Sequence, residues 1–387
     1  MIPYGKQSIS EADVAAVIEV LNSDFLTQGP AVGNFERTVT NYCGTTYGVA
    51  VSSATAALHV ACLALDLQAG DLLWTVPNTF VASANCARYC GAEVDFVDID
   101  QTRNMSVAAL EEKLILARKR GHLPKVVVPV AFSGLACDMK GIRALSDKFG
   151  FKILEDASHA IGARYAGNQV GCGLWSDITV FSFHPVKIVT TGEGGIAVTR
   201  DKQLAARMTR LRSHGITRDP DLMESPPEGA WVYEMQELGW NYRITDIQAA
   251  LGISQFRRLD EFVSRRNVLA ARYGQLLADT GLDLPPFPTD PDSLSSWHLY
   301  VIGWNEQRSG LKRAEAYAGL QKKGIGVNVH YMPVHLQPYY RRLGFAPGMF
   351  PVAEAYSASA LTLPLFPQLT EKEQDQVVEA VRSLAQR

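Results

Sequence analysis

Lys187 is the residue whose setting most needs a chemical reason. It stands in Ser182-Phe183-His184-Pro185-Val186-Lys187, just past an apolar run, and the glycine-rich turn Gly192-Glu193-Gly194-Gly195 follows it. A primary amine there is either a solvated loop lysine or a nucleophile held in a crevice. Three other features favour the nucleophile. Asp156 closes an apolar run in Glu155-Asp156-Ala157-Ser158-His159-Ala160, and a carboxylate at the C-terminal end of a parallel strand faces the ligand crevice. Ser52-Ser53-Ala54-Thr55-Ala56-Ala57-Leu58 reads as a strand–turn–helix junction of small residues, whose free amides suit a phosphate. Phe80 lies on the loop after another strand, where its ring is available to stack on a flat ligand.

An amine, a carboxylate, an anion cradle and an aromatic plate are the four things that pyridoxal 5′-phosphate (PLP) requires. The amine joins the cofactor's aldehyde. The carboxylate keeps the pyridine nitrogen protonated, so that the ring withdraws electrons. The amides, with the Ser182 hydroxyl, hold the phosphate.

These groups must be carried by elements that converge. Short apolar runs at residues 47–51, 72–76, 93–99, 125–130, 151–156, 178–183 and 196–199 alternate with helical patterns. That alternation predicts a mainly parallel α/β sheet with helices on both faces. Before it, residues 13–21 and 35–42 carry apolar positions at helical spacing, and Ser8-x-x-Glu11 and Ser10-x-x-Asp13 each offer a capping box. From Thr245 one long helix is expected to about residue 277. Strand-like stretches at 297–304 and 325–331 and a last helix at 372–385 then imply a smaller α+β unit. The division expected is a large domain over 1–250, with 1–40 lining the site, and a small C-terminal domain over 251–387.

Composition narrows the function classes. The formal charge of −3 leaves no basic surplus for nucleic acid or an anionic membrane. No apolar run reaches the roughly 18–20 residues of a membrane span, and the N-terminus lacks a signal-peptide pattern. The six cysteines form no CxxC, and Cys86 and Cys90, four apart, read as packing. A reduced, cytoplasmic protein without metal is expected. His330 and His335 lack the third ligand that a metal would need. A dinucleotide-binding dehydrogenase would need G-x-G-x-x-G between strand and helix, a spacing that the 192–195 turn does not have.

With Thr79-Phe80-Val81-Ala82-Ser83 and Gly239-Trp240-Asn241-Tyr242-Arg243-Ile244-Thr245-Asp246-Ile247-Gln248 added, these motifs run in order along nearly the whole chain. They resemble the DegT/DnrJ/EryC1/StrS sugar aminotransferases, a branch of the fold-type I PLP enzymes. The resemblance implies that Lys187 is the Schiff-base lysine and proton shuttle, and that Asp156 pairs with the pyridinium nitrogen. His159 would lie near the ring, Phe80 would stack on it, and Ala54, Thr55 and Ser182 would bind the phosphate. Asn241 would reach the phosphate of the neighbouring subunit's cofactor, which implies a homodimer with shared sites. The wording of residues 2–5, 23–30, 77–86 and 213–218 is similar to the pseudaminic acid branch of the family. Members of that branch transfer an amine from glutamate to C4 of a UDP-linked 4-keto-6-deoxy-N-acetylhexosamine. By that likeness Tyr4, Asp24, Phe25, Leu26, Thr27, Val327, Asn328, Val329 and His330 would contact the nucleotide sugar. An aminotransferase for another nucleotide keto-sugar, a dehydratase of the same fold (disfavoured by the lysine) and a non-catalytic sensor stay open as alternatives.

Overall fold

A computed structural model describes residues 1–385. Its centre is a seven-stranded sheet. The strands are β1 (Tyr47–Val51), β2 (Leu72–Thr75), β3 (Glu93–Phe96), β4 (Val126–Val127), β5 (Lys152–Asp156), β6 (Ile178–Ser182) and β7 (Gly195–Thr199). Their order across the sheet is β1-β7-β6-β5-β4-β2-β3. β7 pairs antiparallel with both neighbours, and the other pairings are parallel. β2, β6 and β7 are buried along their whole length, which explains why they read as continuous apolar runs rather than alternating ones.

Helices cover the two faces of this sheet. They are α1 (Glu11–Leu21), α2 (Pro30–Cys43), α3 (Ala54–Ala64), α4 (Ala82–Tyr89), α5 (Val107–Lys119), α6 (Met139–Phe149), α7 (Lys202–Leu211), α8 (Asp246–Phe256) and α9 (Leu259–Leu277). Of the two capping boxes open to α1, the chain uses Ser10 with Asp13. Asp13 is fully buried and also accepts from Gln255 Nε2 at 2.7 Å and Arg258 at 2.6 Å, which ties α1 to α8. The Asp246 carboxylate, in the first turn of α8, accepts from the amides of Gly29 and Ala31 and so fixes the start of α2.

The long helix expected after Thr245 is two helices. Arg258 leaves helical geometry at φ −112°, ψ 8°. The break lets α8 and the first turns of α9 pack under the sheet, with Phe256, Leu259, Phe262 and Val263 in that core. Leu269 to Leu277 then join a second core with β8 (Tyr300–Gly303), β9 (Ala360–Leu363), α10 (Arg313–Lys322) and α11 (Glu371–Ala385). The expected domain boundary at residue 250 falls inside α8. The strand-like stretch 325–331 forms only single bridges, Ile2 to Ile325 and Asn328 to Thr362. It leaves the sheet register because its later residues turn to line a cavity.

Beside the site, Glu155 points to the other side of β5 from Asp156. It is buried and accepts from Thr179 Oγ1 at 2.9 Å. Burial pushes its carboxyl up to about 7, against the opposing pull of the Thr179 and Ser176 hydroxyls. The folded chain therefore holds this proton more tightly than the unfolded chain, whose value is 4.5. The stability it contributes is complete below that value and is lost as pH rises through about 7. Glu155→Gln is expected to remove that loss, on the order of 2 kcal/mol between pH 5 and 8. Thermal melts of both proteins across this range check it, and parallel pH profiles would refute it.

Candidate active site

The C-terminal ends of β5 and β6, the start of α3 and the segment around 328–331 enclose a cavity of about 740 Å³. This is within the size range of small-molecule and cofactor sites. Lys187 enters from the turn after β6, which is closed by its own amide donating to the carbonyl of His184 at 2.9 Å. Its side chain is half-buried and its amine enclosed. Burial brings the ammonium down to about 8, although the charge of Asp156 works in the opposite direction. The amine thus gives up its proton more readily than an ordinary lysine, which enlarges its neutral, nucleophilic fraction near physiological pH.

Asp156 closes β5 and is buried. It accepts from Ser83 Oγ at 2.6 Å and from the Ser158 amide at 3.1 Å, and Ser83 is in turn 2.7 Å from Thr79 Oγ1. These donors hold the carboxylate in one orientation. His159 follows on the same loop, and the Ser133 amide donates to its Nδ1 at 3.3 Å. The proton of the neutral ring is then on Nε2, which lies 3.2 Å from the Tyr331 hydroxyl. Burial, then the Lys187 charge, holds His159 well below the usual histidine range.

Ser53 caps α3 by accepting from the Ala56 amide at 3.1 Å. The amides of Ala54 and Thr55 take no protein acceptor among the described residues. They open on the cavity together with Ser182, which is buried at the end of β6. β7 supports this corner from behind. A Cβ on Gly195 would stand 2.5 Å from both Ala54 N and Ser53 C, so only glycine lets β7 approach so closely. Phe80 is 59% exposed on the rim, its ring centroid 6.4 Å from that of Tyr331.

Tyr4, Asn328, Val329 and His330 also line the cavity. His330 Nδ1 is 2.7 Å from Thr362 Oγ1, and burial takes this ring down to about 3. Val327 is instead packed in the second core, facing away from the cavity. Asp24, Phe25, Leu26, Thr27 and Asn241 are exposed and do not line the cavity of their own chain.

Sequence reasoning missed His298. Its Nε2 lies 3.5 Å from the Lys187 amine, and its ring centroid 4.4 Å from that of His159. Its Nδ1 is buried without a partner. The segment is locked from two directions. The buried Arg266 donates to the carbonyls of Trp297, His298 and Leu365, and the His298 amide donates to the Ser133 carbonyl at 2.8 Å. The backbone is strained on both sides of this contact, at Ser133 (φ 61°) and Trp297 (φ 47°). A polar residue inside the apolar run Trp297-His298-Leu299-Tyr300 was the available signal. Tyr331 and Ser83, which hold His159 and Asp156, were also missed.

The chain belongs to the DegT/DnrJ/EryC1/StrS aminotransferase family, whose sequence profile matches residues 7–382. It is 37% identical over 386 residues to the spore coat polysaccharide biosynthesis protein SpsC of Bacillus subtilis, covering 99% of this chain and 97% of that one. Among solved structures it is similar to Helicobacter pylori PseC, an aminotransferase involved in the biosynthesis of pseudoaminic acid. That match has a TM-score of 0.90 at 29% identity and covers 99% of this chain and 98% of that one. The PLP form of Spr1654 from Streptococcus pneumoniae matches with a TM-score of 0.86 at 29% identity, over 99% and 98% of the two chains. The fold is therefore that of the fold-type I PLP aminotransferases, and the chain is a sugar aminotransferase of this family.

Proposed function

We propose that this chain is a PLP-dependent aminotransferase acting on a nucleotide sugar. It moves the amino group of L-glutamate to C4 of a UDP-4-keto-6-deoxy-N-acetylhexosamine of L-arabino configuration. The product is UDP-4-amino-4,6-dideoxy-N-acetyl-β-L-altrosamine. The observation that carries the reading is one cavity joining an enclosed amine, an oriented carboxylate and two free helix-start amides. These residues fit the cofactor: Ala54, Thr55 and Ser182 would hold its phosphate, Asp156 its ring nitrogen, Phe80 its ring and Lys187 its aldehyde. When bound, the group supplies an electron sink next to the carbon whose proton is removed.

The chain's own residues do the rest. With the cofactor held there, Lys187 would be the base that takes the proton from the donor's α-carbon and the acid that gives it back, and it would serve in the opposite order at the sugar's C4. His159 and His298, both kept neutral by burial, border the amine without adding positive charge there. Tyr4 and residues 328–330 offer the polar edge against which the sugar would be oriented.

The active unit is a homodimer in which Asn241 and the 24–27 loop serve the neighbour's cavity. Their exposure, and their absence from the lining of their own cavity, support this. So do the exposed Trp231, Tyr233, Met235 and Leu238 of the adjoining segment. All six cysteines are free thiols, which suits the cytoplasm. No helix among the described residues is long and apolar enough to cross a membrane.

The substrate test is a half-reaction. Enzyme is converted to its pyridoxamine form with glutamate and freed of donor. It is then mixed with the L-arabino 4-keto sugar or, separately, with its D-xylo epimer. Return of the aldehyde-form absorbance with the L-arabino sugar alone is the expected result. Return with the D-xylo sugar alone would assign another amino sugar. The cradle has its own test. Gly195→Ala pushes β7 against Ser53 and Ala54, and a misfit of about 1–3 kcal/mol lowers cofactor affinity by roughly tenfold or more. Absorbance titration with PLP measures this, and unchanged affinity would refute the cradle.

A further inference from the structure

A base that must also act as an acid at two different carbons needs its lone pair aimed at each. The four-carbon stem of a lysine does not aim it unaided. Among the described residues the Lys187 amine has one hydrogen-bond partner, His298 Nε2 at 3.5 Å. Asp156 acts on the amine through its charge. His298 is equally exclusive. It is 4% exposed, its Nδ1 is buried without a partner, and its Nε2 meets only the lysine. Buried polar groups are ordinarily satisfied, so a ring serving packing alone gains nothing from two nitrogens here.

The ring is held where it stands. Arg266 donates to the carbonyls of Trp297 at 3.1 Å and His298 at 3.2 Å, and the His298 amide donates to the Ser133 carbonyl at 2.8 Å. The His159 ring packs against it, the centroids 4.4 Å apart. His298 does not itself line the cavity. It therefore reaches a substrate only through the lysine.

We propose, on the reading of Lys187 as the proton carrier, that His298 is its positioning residue: Nε2 accepts one amine N–H and leaves the lone pair directed into the cavity. An ammonium has no lone pair, so its contact with the ring requires Nε2 as acceptor and the ring proton on Nδ1. When the ammonium gives up a proton, one remaining N–H stays on Nε2 and the freed lone pair faces away from the ring. Burial, then the charge of Lys187, holds His298 well below the usual histidine range, so the ring does not compete for that proton. At 3.5 Å the contact is longer than a formed bond, and contacts of this kind tighten in the substrate complex. The other charged and titratable groups facing the pair are Asp156 at the end of β5, His159 on the loop after it, His330 and, on α9, Arg266.

The experiment compares wild type with His298→Phe, which keeps a flat ring without nitrogens, and His298→Gln, which restores an acceptor. His298→Asn, whose amide stops short of the amine, carries the same expectation as phenylalanine if that variant does not fold. The first readout needs no substrate. It is the pH dependence of Lys187 acylation in the full chain before PLP is added. Without its acceptor the ammonium is less favoured, so the titration in His298→Phe should fall from about 8 to about 7, and His298→Gln should bring it back. The second uses the chain loaded with PLP and follows the half-reaction with glutamate by absorbance. His298→Phe should lower the saturated rate roughly tenfold and leave the half-saturating glutamate concentration within about twofold, with the rate recovered in His298→Gln. A titration that does not move in folded His298→Phe would overturn the proposal. So would a glutamine variant no better than phenylalanine, or a loss confined to half-saturation. Wild-type protein that gives no half-reaction with glutamate would instead count against the transferase reading, and the acylation titration still decides the His298 contact.

Discussion

Lys187→Ala is expected to lower transamination by at least about 10³-fold, the scale of losing a positioned proton-transfer group, while the protein folds and still binds PLP. The amine is enclosed, and burial holds it near 8. It therefore sits in an environment that favours its neutral, nucleophilic form. Alanine removes the nucleophile and the proton carrier together, and no other lysine lines the cavity. The proposed phosphate cradle on α3 and the carboxylate on β5 are separate from this side chain, so cofactor affinity is expected to persist. Removing an ammonium whose burial is unfavourable also gives no reason for a lower melting temperature. Two measurements check the assignment. Steady-state turnover of the variant should be below detection, and borohydride reduction of loaded wild-type protein should fix the cofactor on the peptide carrying Lys187. Turnover within a hundredfold of wild type, or a tag on another lysine, would defeat it.

Lys187 and Asp156 were legible in the sequence because each sits where a buried apolar run ends, a place that topology turns toward the crevice. The free amides at the start of α3 were legible because a strand–turn–helix junction of small residues leaves its first amides without partners. His298 was hidden. It is 111 residues from the lysine it meets, inside a run whose other members are core. Its place depends on Arg266 and on the strained turn at Ser133, and neither leaves a local pattern. The break between α8 and α9 was hidden for a related reason. Apolar periodicity continues across Arg257 and Arg258, and only the need to serve two cores bends the chain there. Val327 shows the opposite error, because a segment that lines a cavity still alternates its side chains, and this one faces the second core.

Asp156→Asn separates charge from shape. Asparagine keeps an oxygen that can accept from the Ser158 amide, now at 3.1 Å, while its NH2 replaces the second oxygen and can donate to Ser83 Oγ, now at 2.6 Å, if that hydroxyl turns to donate to Thr79 Oγ1, so the loop after β5 should hold its course. What disappears is the negative charge proposed to face the cofactor's ring nitrogen. A neutral ring is a poorer electron sink, and a loss of about 10²–10³-fold in turnover is expected, comparable to removing one preorganised electrostatic partner. The same substitution makes a prediction that does not depend on turnover. The Asp156 charge is what opposes burial at Lys187, so without it the amine should titrate below about 8. The pH dependence of amine acylation in cofactor-free protein reads this directly, with the labelled peptide identifying Lys187. Activity within threefold of wild type would remove Asp156 from the site chemistry. An amine titration that stays in place would show instead that the two charges do not interact, and that burial alone sets the state of the lysine.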